Sequence, residues 1–390
     1  MYPAHRWLGF LGCDMTDPVG LACPSDPEDA VGLSAWAIAR ARSLGFSRAG
    51  VCDARPSDRR TELEAWIDVG KHGPMAWMAA HMEVRLNVAK MFDGAKSILV
   101  VADRYHDGRG DERPAEVHDA SRRVRVPAGR VARYARGRDY HRRMKRRLRT
   151  LQHELEAAQP TVRGKVCCDI EPFMEREHAQ RAGLGSCGKH TLLIAPGLGS
   201  WLLLAAYVTT AKLFPSETAP PADPCGTCTR CIDACPTKAI TAWSVDSRRC
   251  LSSVTLEERG SPSAEVAANA GEWLLGCDIC QEVCPHNQPT RRSRREGVGG
   301  DFDGRNAAFA LLEVLGWDDA ARRRAFGPSA LNRVRSDQVR RNAIWCCLRP
   351  ILEGRGADLL TRIDEIARDA NESAITREAA SEVIARVHQA

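Results

Sequence analysis

The sequence has no apolar run long enough to span a membrane, and its longest candidate, residues 201–208, predicts a buried strand. We expect no secretory signal, because the segment after Met1 is short and interrupted by polar residues. We therefore expect a soluble, cytoplasmic protein without membrane partners, in a compartment where disulfides are rare. A Walker-type phosphate loop is also missing, since no Gly-Lys-Ser or Gly-Lys-Thr follows a four-residue spacer.

Cysteine, by contrast, is abundant, with 16 residues. Seven of them lie in two runs, Cys225-x2-Cys228-x2-Cys231-x3-Cys235-Pro236 and Cys277-x2-Cys280-x3-Cys284-Pro285, and an eighth, Cys250, lies between the runs. This spacing is used by proteins that hold two 4Fe-4S clusters, in which the fourth cysteine of a run ligates the other cluster. We predict one cluster on Cys225, Cys228, Cys231 and Cys284, and a second on Cys235, Cys250, Cys277 and Cys280.

Structural zinc and disulfides are the alternative uses of such cysteines. Zinc needs four ligands at each site and does not explain why both runs end in Cys-Pro. The other eight cysteines show no ligand spacing, so most are predicted to be small buried hydrophobic residues. The chain is therefore predicted to be a redox protein.

The net charge of +6 is unevenly distributed. Residues 122–149 contain thirteen Lys or Arg and one acidic residue, a local charge of +12, so the rest of the chain carries −6. A solvated helix face is one interpretation of this segment. The other is a nucleic-acid surface, because Tyr134, Tyr140 and His141 interleave with the arginines and suit phosphate contact and ring stacking. The candidate nucleic-acid contacts are Arg142, Arg143 and Arg146.

Periodicity divides the chain into four parts. Residues 1–28 are predicted to be a loose extension, and alternating helix and strand patterns predict an α/β domain over 29–214. A Pro-rich linker opens the cluster module, placed at 215–300. Residues 301–390 are predicted to be helical, and the last helix is typical of a HEAT-type pair. The predicted C-terminal helices cover residues 307–315, 329–348, 358–368 and 374–387.

Asp169 is the candidate catalytic residue. It follows a short predicted strand, and Pro172 starts a predicted helix that stops at Gly183. Asp169 is thus expected at the carboxyl edge of a sheet, where open α/β folds commonly bind ligands, although it can also be read as a helix cap. Glycines between Gly183 and Thr191 permit a large ligand to approach the backbone.

In the order and spacing of its motifs the chain resembles the epoxyqueuosine reductases, cobalamin and iron-sulfur enzymes that finish queuosine synthesis on tRNA. The resemblance spans about residues 31–350. It rests on the two cysteine runs and on six further motifs: His72-Gly73-Pro74-Met75-Ala76-Trp77-Met78 with Arg85, Tyr134-Ala135-Arg136-Gly137-Arg138-Asp139-Tyr140-His141, Asp169-x2-Pro172-x2-Glu175-Arg176, Gly183-Leu184-Gly185, Gly188-Lys189-His190-Thr191 and Gly199-Ser200-Trp201.

This resemblance implies an α/β cobalamin-binding domain, a ferredoxin-like double 4Fe-4S module and a short helical, HEAT-like region. It implies reduction of epoxyqueuosine in the anticodon stem-loop of tRNA, with electrons from an external low-potential donor, and we expect a monomer. Asp169 matches the family's proposed proton donor, for which we expect a raised pKa. The residues implied to contact the corrinoid are Arg85, Asp169, Lys189, His190, Leu193, Leu204, Asp278 and Gln281.

Four residues depart from the family pattern near the expected pocket and leave the substrate open: Glu171, Ser186, Cys187 and His286. Two other functions also stay open. One is a corrinoid reductase of small molecules, similar to reductive dehalogenases, which has no use for the positive segment. The other is a non-catalytic double-cluster electron carrier, which has no use for Asp169.

Overall fold

A computed structural model describes residues 22–110, 115–119, 124–216, 223–289 and 306–390. Most of the predicted N-terminal extension lies outside these ranges. The elements before the cysteine runs are α1 (Ala30–Ser43), β1 (Arg48–Asp53), α2 (Arg60–Asp68), α3 (Trp77–Ala80), α4 (Met82–Leu86), β2 (Ser97–Arg104), β3 (Glu116–Asp119), β4 (Val124–Val131), α5 (Tyr140–Ala158), β5 (Gly164–Cys167), α6 (Glu175–Arg181), β6 (Ser186–Cys187), β7 (Leu193–Ile194) and β8 (Leu202–Thr209).

The remaining elements are mostly short until the C-terminal helices. They are α7 (Arg230–Asp233), β9 (Ile240–Thr241), β10 (Ser244–Val245), α8 (Leu251–Leu256), α9 (Ala264–Ala268), β11 (Trp273–Leu275), α10 (Ile279–Glu282), β12 (Ala308–Ala310), α11 (Leu311–Leu315), α12 (Asp319–Phe326), α13 (Ser336–Leu352), α14 (Ala357–Arg368) and α15 (Ala374–Gln389). Among the described residues, no helix is both long and apolar enough to cross a membrane.

A four-stranded sheet of order β1-β2-β8-β5 forms the centre of the first domain. Every residue of β2 is buried, because its alternate side chains enter two cores. Leu99 and Val101 pack with the apolar face of α5, whereas Ile98 and Val100 pack with Ala179 of α6. The predicted mixture of helices and strands is confirmed. The pairings are antiparallel, however, so the sheet is not the open α/β sheet from which the site was predicted.

A second sheet joins the three predicted segments. Its central strand β4 pairs in parallel with β11 of the cluster segment and antiparallel with β12 of the C-terminal segment. Val131 of β4 therefore lies in one core with Trp273 and with residues of α13 to α15. The domain boundary after residue 214 stays a prediction, and the one at residues 300 and 301 lies outside the described residues.

The C-terminal helices are largely as predicted, with two differences. Residues 308–310 form β12 rather than the start of a helix, because they pair with the distant β4. A separate 3-10 turn at Ala330–Arg333 precedes α13, so the helix predicted from residue 329 begins later. The strand β4 and the helix α12 were not predicted, since neither has a strong local pattern.

Candidate active site

Asp169 lies in a strained turn two residues beyond β5. Its φ angle is +60°, and the N–H of Ile170 donates to the carbonyl of Cys168 at 2.7 Å. A hydrogen bond that spans one residue with a positive φ angle is typical of the rare γ-turn. For a residue other than glycine, this backbone conformation costs on the order of 1–3 kcal/mol of conformational free energy. The turn presents the Asp169 side chain, 65% exposed, at the carboxyl end of β5 as predicted. The helix-cap alternative is wrong, because Met174 is the N-cap of α6.

Two side chains at the start of α5 converge on the Asp169 carboxylate. The Tyr140 hydroxyl donates to Oδ2 at 2.6 Å, and His141 Nε2 lies 3.4 Å from the same oxygen. The other ring nitrogen of His141 is 2.7 Å from Oδ1 of Asp139, which also caps α5 by accepting the His141 N–H. The result is a chain of hydrogen bonds from Asp139 through His141 to Asp169.

The pKa shifts separate the acids of this site. Partial desolvation by the surrounding protein favours a higher pKa for Asp169 although its side chain is exposed, but hydrogen bonds from His141 and Tyr140 hold that pKa below its usual value. Within the protein itself the hydrogen bonds therefore lower the pKa of Asp169, and a raised pKa in a cofactor-walled pocket stays a prediction. Burial alone lowers the pKa of His141, yet its hydrogen bonds to Asp169 and Asp139 raise it overall. Burial, and then the charge of Asp169, raise the pKa of Glu175 to about 7. Glu175 is thus partly protonated near neutral pH, whereas Asp169 is ionised.

Two of the predicted corrinoid residues surround the turn. Arg85 Nη1 donates to the carbonyl of Phe173 at 3.0 Å, while its buried Nε has no partner among the described residues. The carbonyl of Leu204 lies 3.7 Å from the Cys168 sulfur. Ile170 is 71% exposed beside them. Open apolar surface next to a carboxylate and a spare guanidinium N–H suits a large ring that is apolar on its faces and polar at its rim.

Three other predicted corrinoid residues lie elsewhere. The backbone N–H of Lys189 donates to the Cys225 sulfur at 3.3 Å, and its Nζ donates to the Gly226 carbonyl at 2.7 Å. His190 and Leu193 are each only 3% exposed. Lys189 therefore contacts the cluster loop, and a corrinoid contact for the three residues stays a prediction.

Asp278 and Gln281 join the cluster module to the first domain. The buried Asp278 carboxylate accepts the backbone N–H of Arg133 at 2.8 Å and its guanidinium at 3.2 Å. Gln281 donates to the Ser200 carbonyl at 2.9 Å and accepts from the Tyr105 hydroxyl at 3.2 Å. Both side chains have protein partners, and their contact with the corrinoid stays a prediction.

The cysteines predicted to hold the first cluster are neighbours. Burial raises the pKa of the Cys231 thiol, and three nearby sulfurs raise it further: Cys225, Cys284 and Cys228. Burial also raises the pKa of Cys284, with additional effects from Cys225 and Cys228. These mutual effects require the four sulfurs to share one region, although Cys284 is distant from the others in sequence.

The second predicted set also comes together. Burial raises the pKa of Cys277, and the neighbouring Cys280 and Cys250 raise it further. Burial does the same for Cys250, whose other sulfur neighbour is Cys235. Every cysteine of the described residues is free of disulfides.

Backbone N–H groups approach several of these sulfurs, as thiolate ligands require. The N–H of Ala239 donates to Cys235 at 3.3 Å, and other N–H groups hydrogen bond Cys250, Cys277 and Cys284. No three His, Cys, Asp or Glu side chains of the described residues converge as a single metal ion needs. A cubane is larger than one ion and spreads its thiolates further apart, so the donor set fits a cluster.

Much of the positive segment pairs with acids inside the protein. Arg130 and Arg133 both contact Glu282 at 2.6 Å, which ties them to the cluster module. Arg143 and Arg147 pair with Asp103 of β2, and Lys145 pairs with Glu171 at 2.6 Å. Arg143 is only 12% exposed, so the structure argues against it as a nucleic-acid contact. The arginines of α5 that are exposed and have no ion pair with a described residue are Arg142, Arg146 and Arg149.

Of the four departures from the family pattern, Glu171 alone contacts the turn. Its carboxylate accepts the Cys168 N–H at 2.8 Å. Ser186 and Cys187 form β6, which pairs with β7. His286 Nε2 lies 2.8 Å from the Pro224 carbonyl, beside the first cysteine run.

The sequence gave no role to Glu175 and assigned Tyr140 and His141 to a nucleic-acid surface, whereas the structure places both side chains on the Asp169 carboxylate. Each lies in a motif that carried the resemblance, and that was the available signal. Tyr140 is 29 residues from Asp169 in sequence, and a strand, a turn and the length of α5 separate them. Spacing alone gave no reason to join them.

Two family models match separate parts of the chain. The one described as epoxyqueuosine reductase QueG, DUF1730, matches residues 85–170. The one described as a 4Fe-4S double cluster binding domain matches residues 224–287. These matches coincide with the Asp169 turn and with the cysteine runs.

Similar proteins cover nearly the whole chain. An epoxyqueuosine reductase of Xanthomonas campestris pv. campestris is 35% identical over 363 residues, 90% of this chain and 95% of that protein. One from Vibrio cholerae serotype O1 is 34% identical over 315 residues, 80% of this chain and 81% of that protein.

Solved structures agree with these relatives. A Bacillus subtilis epoxyqueuosine reductase, with its catalytic aspartate loop swung out of the active site, has a TM-score of 0.78 and 25% identity, covering 91% of this chain and 90% of that one. An epoxyqueuosine reductase with an epoxyqueuosine-modified tyrosine tRNA stem loop has a TM-score of 0.74 at the same identity and coverage.

Proposed function

Since this chain belongs to the family of epoxyqueuosine reductases, we propose that it reduces epoxyqueuosine to queuosine in the anticodon stem-loop of a tRNA. The reaction breaks both C–O bonds of the epoxide, forms a C=C bond and releases the oxygen as water. It consumes two electrons and two protons. The observation that carries the proposal is the Asp169 turn, with Tyr140 and His141 on its carboxylate, in a chain that also has a double-cluster module.

The electrons come from an external low-potential donor and pass through the cluster module. We assign one cluster to Cys225, Cys228, Cys231 and Cys284, and the other to Cys235, Cys250, Cys277 and Cys280. Cobalamin, bound beside the turn, supplies the reducing chemistry at the substrate. Arg85, Leu204 and the exposed Ile170 are the residues that would hold it.

The protein's own residues deliver the proton to the departing oxygen. Asp169 is ionised near neutral pH, so it orients the proton-bearing groups rather than storing the proton itself. His141, whose pKa is raised, passes its Nε2 proton through Asp169 Oδ2 to the departing oxygen. Asp139 holds the imidazole in the required orientation from the other side.

The tRNA contacts the exposed face of α5. Arg142, Arg146 and Arg149 are spaced for one helix face, so their guanidinium groups follow α5 away from its first turn. That first turn carries Tyr140 and His141, which places phosphate binding next to the catalytic carboxylate. A tRNA substrate also favours a cytoplasmic enzyme, and we propose that it acts as a monomer.

The proposal is tested in cells that lack the protein. Their tRNA should accumulate epoxyqueuosine and lose queuosine, as measured by mass spectrometry of hydrolysed nucleosides. Wild-type protein should restore queuosine, whereas an Asp169→Asn variant made in equal amount should not. Unchanged queuosine in the deletion strain would contradict the function.

A further inference from the structure

The γ-turn at Asp169 needs support from its surroundings. A non-glycine residue in this conformation persists only where other contacts determine it. Part of the turn is unusually accessible, since Asp169 and Ile170 are both mostly exposed. The Asp169 side chain is held by Tyr140 and His141, and within the turn the Ile170 N–H donates to the Cys168 carbonyl.

Two carboxylates hold that backbone. Glu171 accepts the N–H of Cys168 at 2.8 Å, and Glu175 accepts the N–H of Asp169 at 3.1 Å. The second bond fixes the peptide group that directly precedes Asp169 and so restrains the φ angle of Asp169, and the first bond fixes the peptide group before that. Burial favours a higher pKa for Glu171, but Lys145 and the Cys168 N–H hold that pKa below its usual value. Glu171 therefore accepts as a charged group, which makes its bond stronger than one to a neutral acceptor.

Each carboxylate is itself fixed by a different part of the first domain. Lys145 of α5 contacts Glu171 at 2.6 Å, and both side chains are less than a fifth exposed. Glu175 is the first residue of α6, so the start of that helix fixes its backbone. The turn is thus joined to α5 through Glu171 and to α6 through Glu175.

We propose that Glu171 and Glu175 are positioning residues that hold Asp169 in its strained turn by accepting the N–H groups of Cys168 and Asp169. The inference rests on the proposed function for its link to catalysis. The mechanical part, that the two carboxylates set how often the turn opens, does not depend on the substrate.

The test compares two replacements at each position. Glu171→Gln and Glu175→Gln keep an acceptor oxygen and lose only the charge, whereas Glu171→Ala and Glu175→Ala lose the acceptor. Amide hydrogen exchange of residues 164–174 is measured on loaded, substrate-free protein. Turnover is measured on a tRNA anticodon stem-loop carrying epoxyqueuosine. Glu62→Ala, an exposed carboxylate on α2, is the matched control.

The Ala variants should exchange the Cys168 and Asp169 amides about tenfold faster or more, and lower kcat by a similar factor with little change in KM. The Gln variants should lie close to wild type in both measurements, as should Glu62→Ala. Unchanged exchange in the Ala variants would overturn the proposal, and so would faster exchange with an unchanged kcat. If wild-type protein does not reduce the stem-loop, the proposed function fails while the exchange result still decides whether the carboxylates hold the turn.

Discussion

The cluster module and the Asp169 turn differ in how far apart in sequence their functional residues lie. The module's sulfurs come from one continuous segment, and their spacing of two or three residues carries the chemistry. The turn draws on residues that are distant in sequence, with Arg85, Tyr140 and Glu175 each supplied by a different helix. A local motif therefore predicts its cofactor from sequence spacing alone, whereas the residues of an acid-base site are brought together only by the tertiary fold.

The arginines of α5 differ in the same way between the inner and the outer side of the helix. On the inner side of α5, Arg143 and Arg147 pair with Asp103 and stabilise the first domain. On its outer side, Arg142, Arg146 and Arg149 remain exposed. A basic run therefore gives an upper limit to the charge available to a partner, and only burial and pairing show how much of it remains.

The largest effect is expected from the cluster ligands. Cys231→Ser and Cys284→Ser should each damage the same cluster, because our assignment places both sulfurs on one cubane, and catalysis should be lost. Iron analysis after anaerobic purification should fall from about eight irons per chain towards about four. Cys23→Ser, outside both runs, should leave the iron content unchanged. Spectra showing that the two variants damage different clusters would break the assignment.

Asp169→Asn should come next, with turnover lower by roughly a hundred- to ten-thousand-fold, the usual worth of proton transfer in a transition state. The amide keeps the shape of the turn and removes the negative charge that holds the His141 proton in place. Iron content should be normal, because the clusters belong to a separate segment. If bound cobalamin disappears instead, Asp169 holds the cofactor rather than the proton path.

Reversal of Arg142, Arg146 and Arg149 to Glu should weaken stem-loop binding and reduce its salt dependence. Each phosphate contact contributes roughly 0.7–0.9 to the slope of log affinity against log salt, so the slope should fall by about two to three. Binding is measured by fluorescence anisotropy over a range of salt. Reversal of the exposed Arg323, Arg324 and Arg377 gives the same change in net charge and should leave the slope nearly intact. Equal effects from both triples would remove α5 from the interface.

The smallest effect concerns pH. The pKa of Glu175 is raised to about 7 by burial and by Asp169, against the opposing effects of backbone N–H groups and of Arg85. A raised pKa means that Glu175 binds a proton more tightly in the closed turn than in the open turn. Protonation therefore stabilises the closed turn most below pH 4.5, and this stabilisation is lost as pH rises through 7. Amide exchange at residues 168–170, corrected for intrinsic rates, should accelerate several-fold above pH 7. Glu175→Gln should flatten that dependence, and an unaltered profile in this variant would exclude Glu175 as its origin.

Much of the fold was predictable from periodicity, including α1, α5 and the strand that ends before Asp169. The antiparallel order of the sheet was not, because pairing depends on distant strands rather than local pattern. The same reason explains β12, whose residues 308–310 have a helical pattern but pair with β4. In the site, the sequence located Asp169 and the cysteines. It could not predict the partners of Asp278 and Gln281, because Arg133 is more than a hundred residues from Asp278 and Ser200 is more than eighty from Gln281.

The central claim is that the cluster module and the Asp169 turn serve one reaction. The most direct test is single-turnover reduction of an epoxyqueuosine-bearing anticodon stem-loop by anaerobically loaded, pre-reduced protein. We predict that the nucleoside loses one oxygen atom and becomes queuosine, that two electrons are consumed for each product, and that Asp169→Asn slows this step with the clusters still reduced. An unchanged nucleoside in the presence of fully reduced clusters and bound cobalamin would contradict the account.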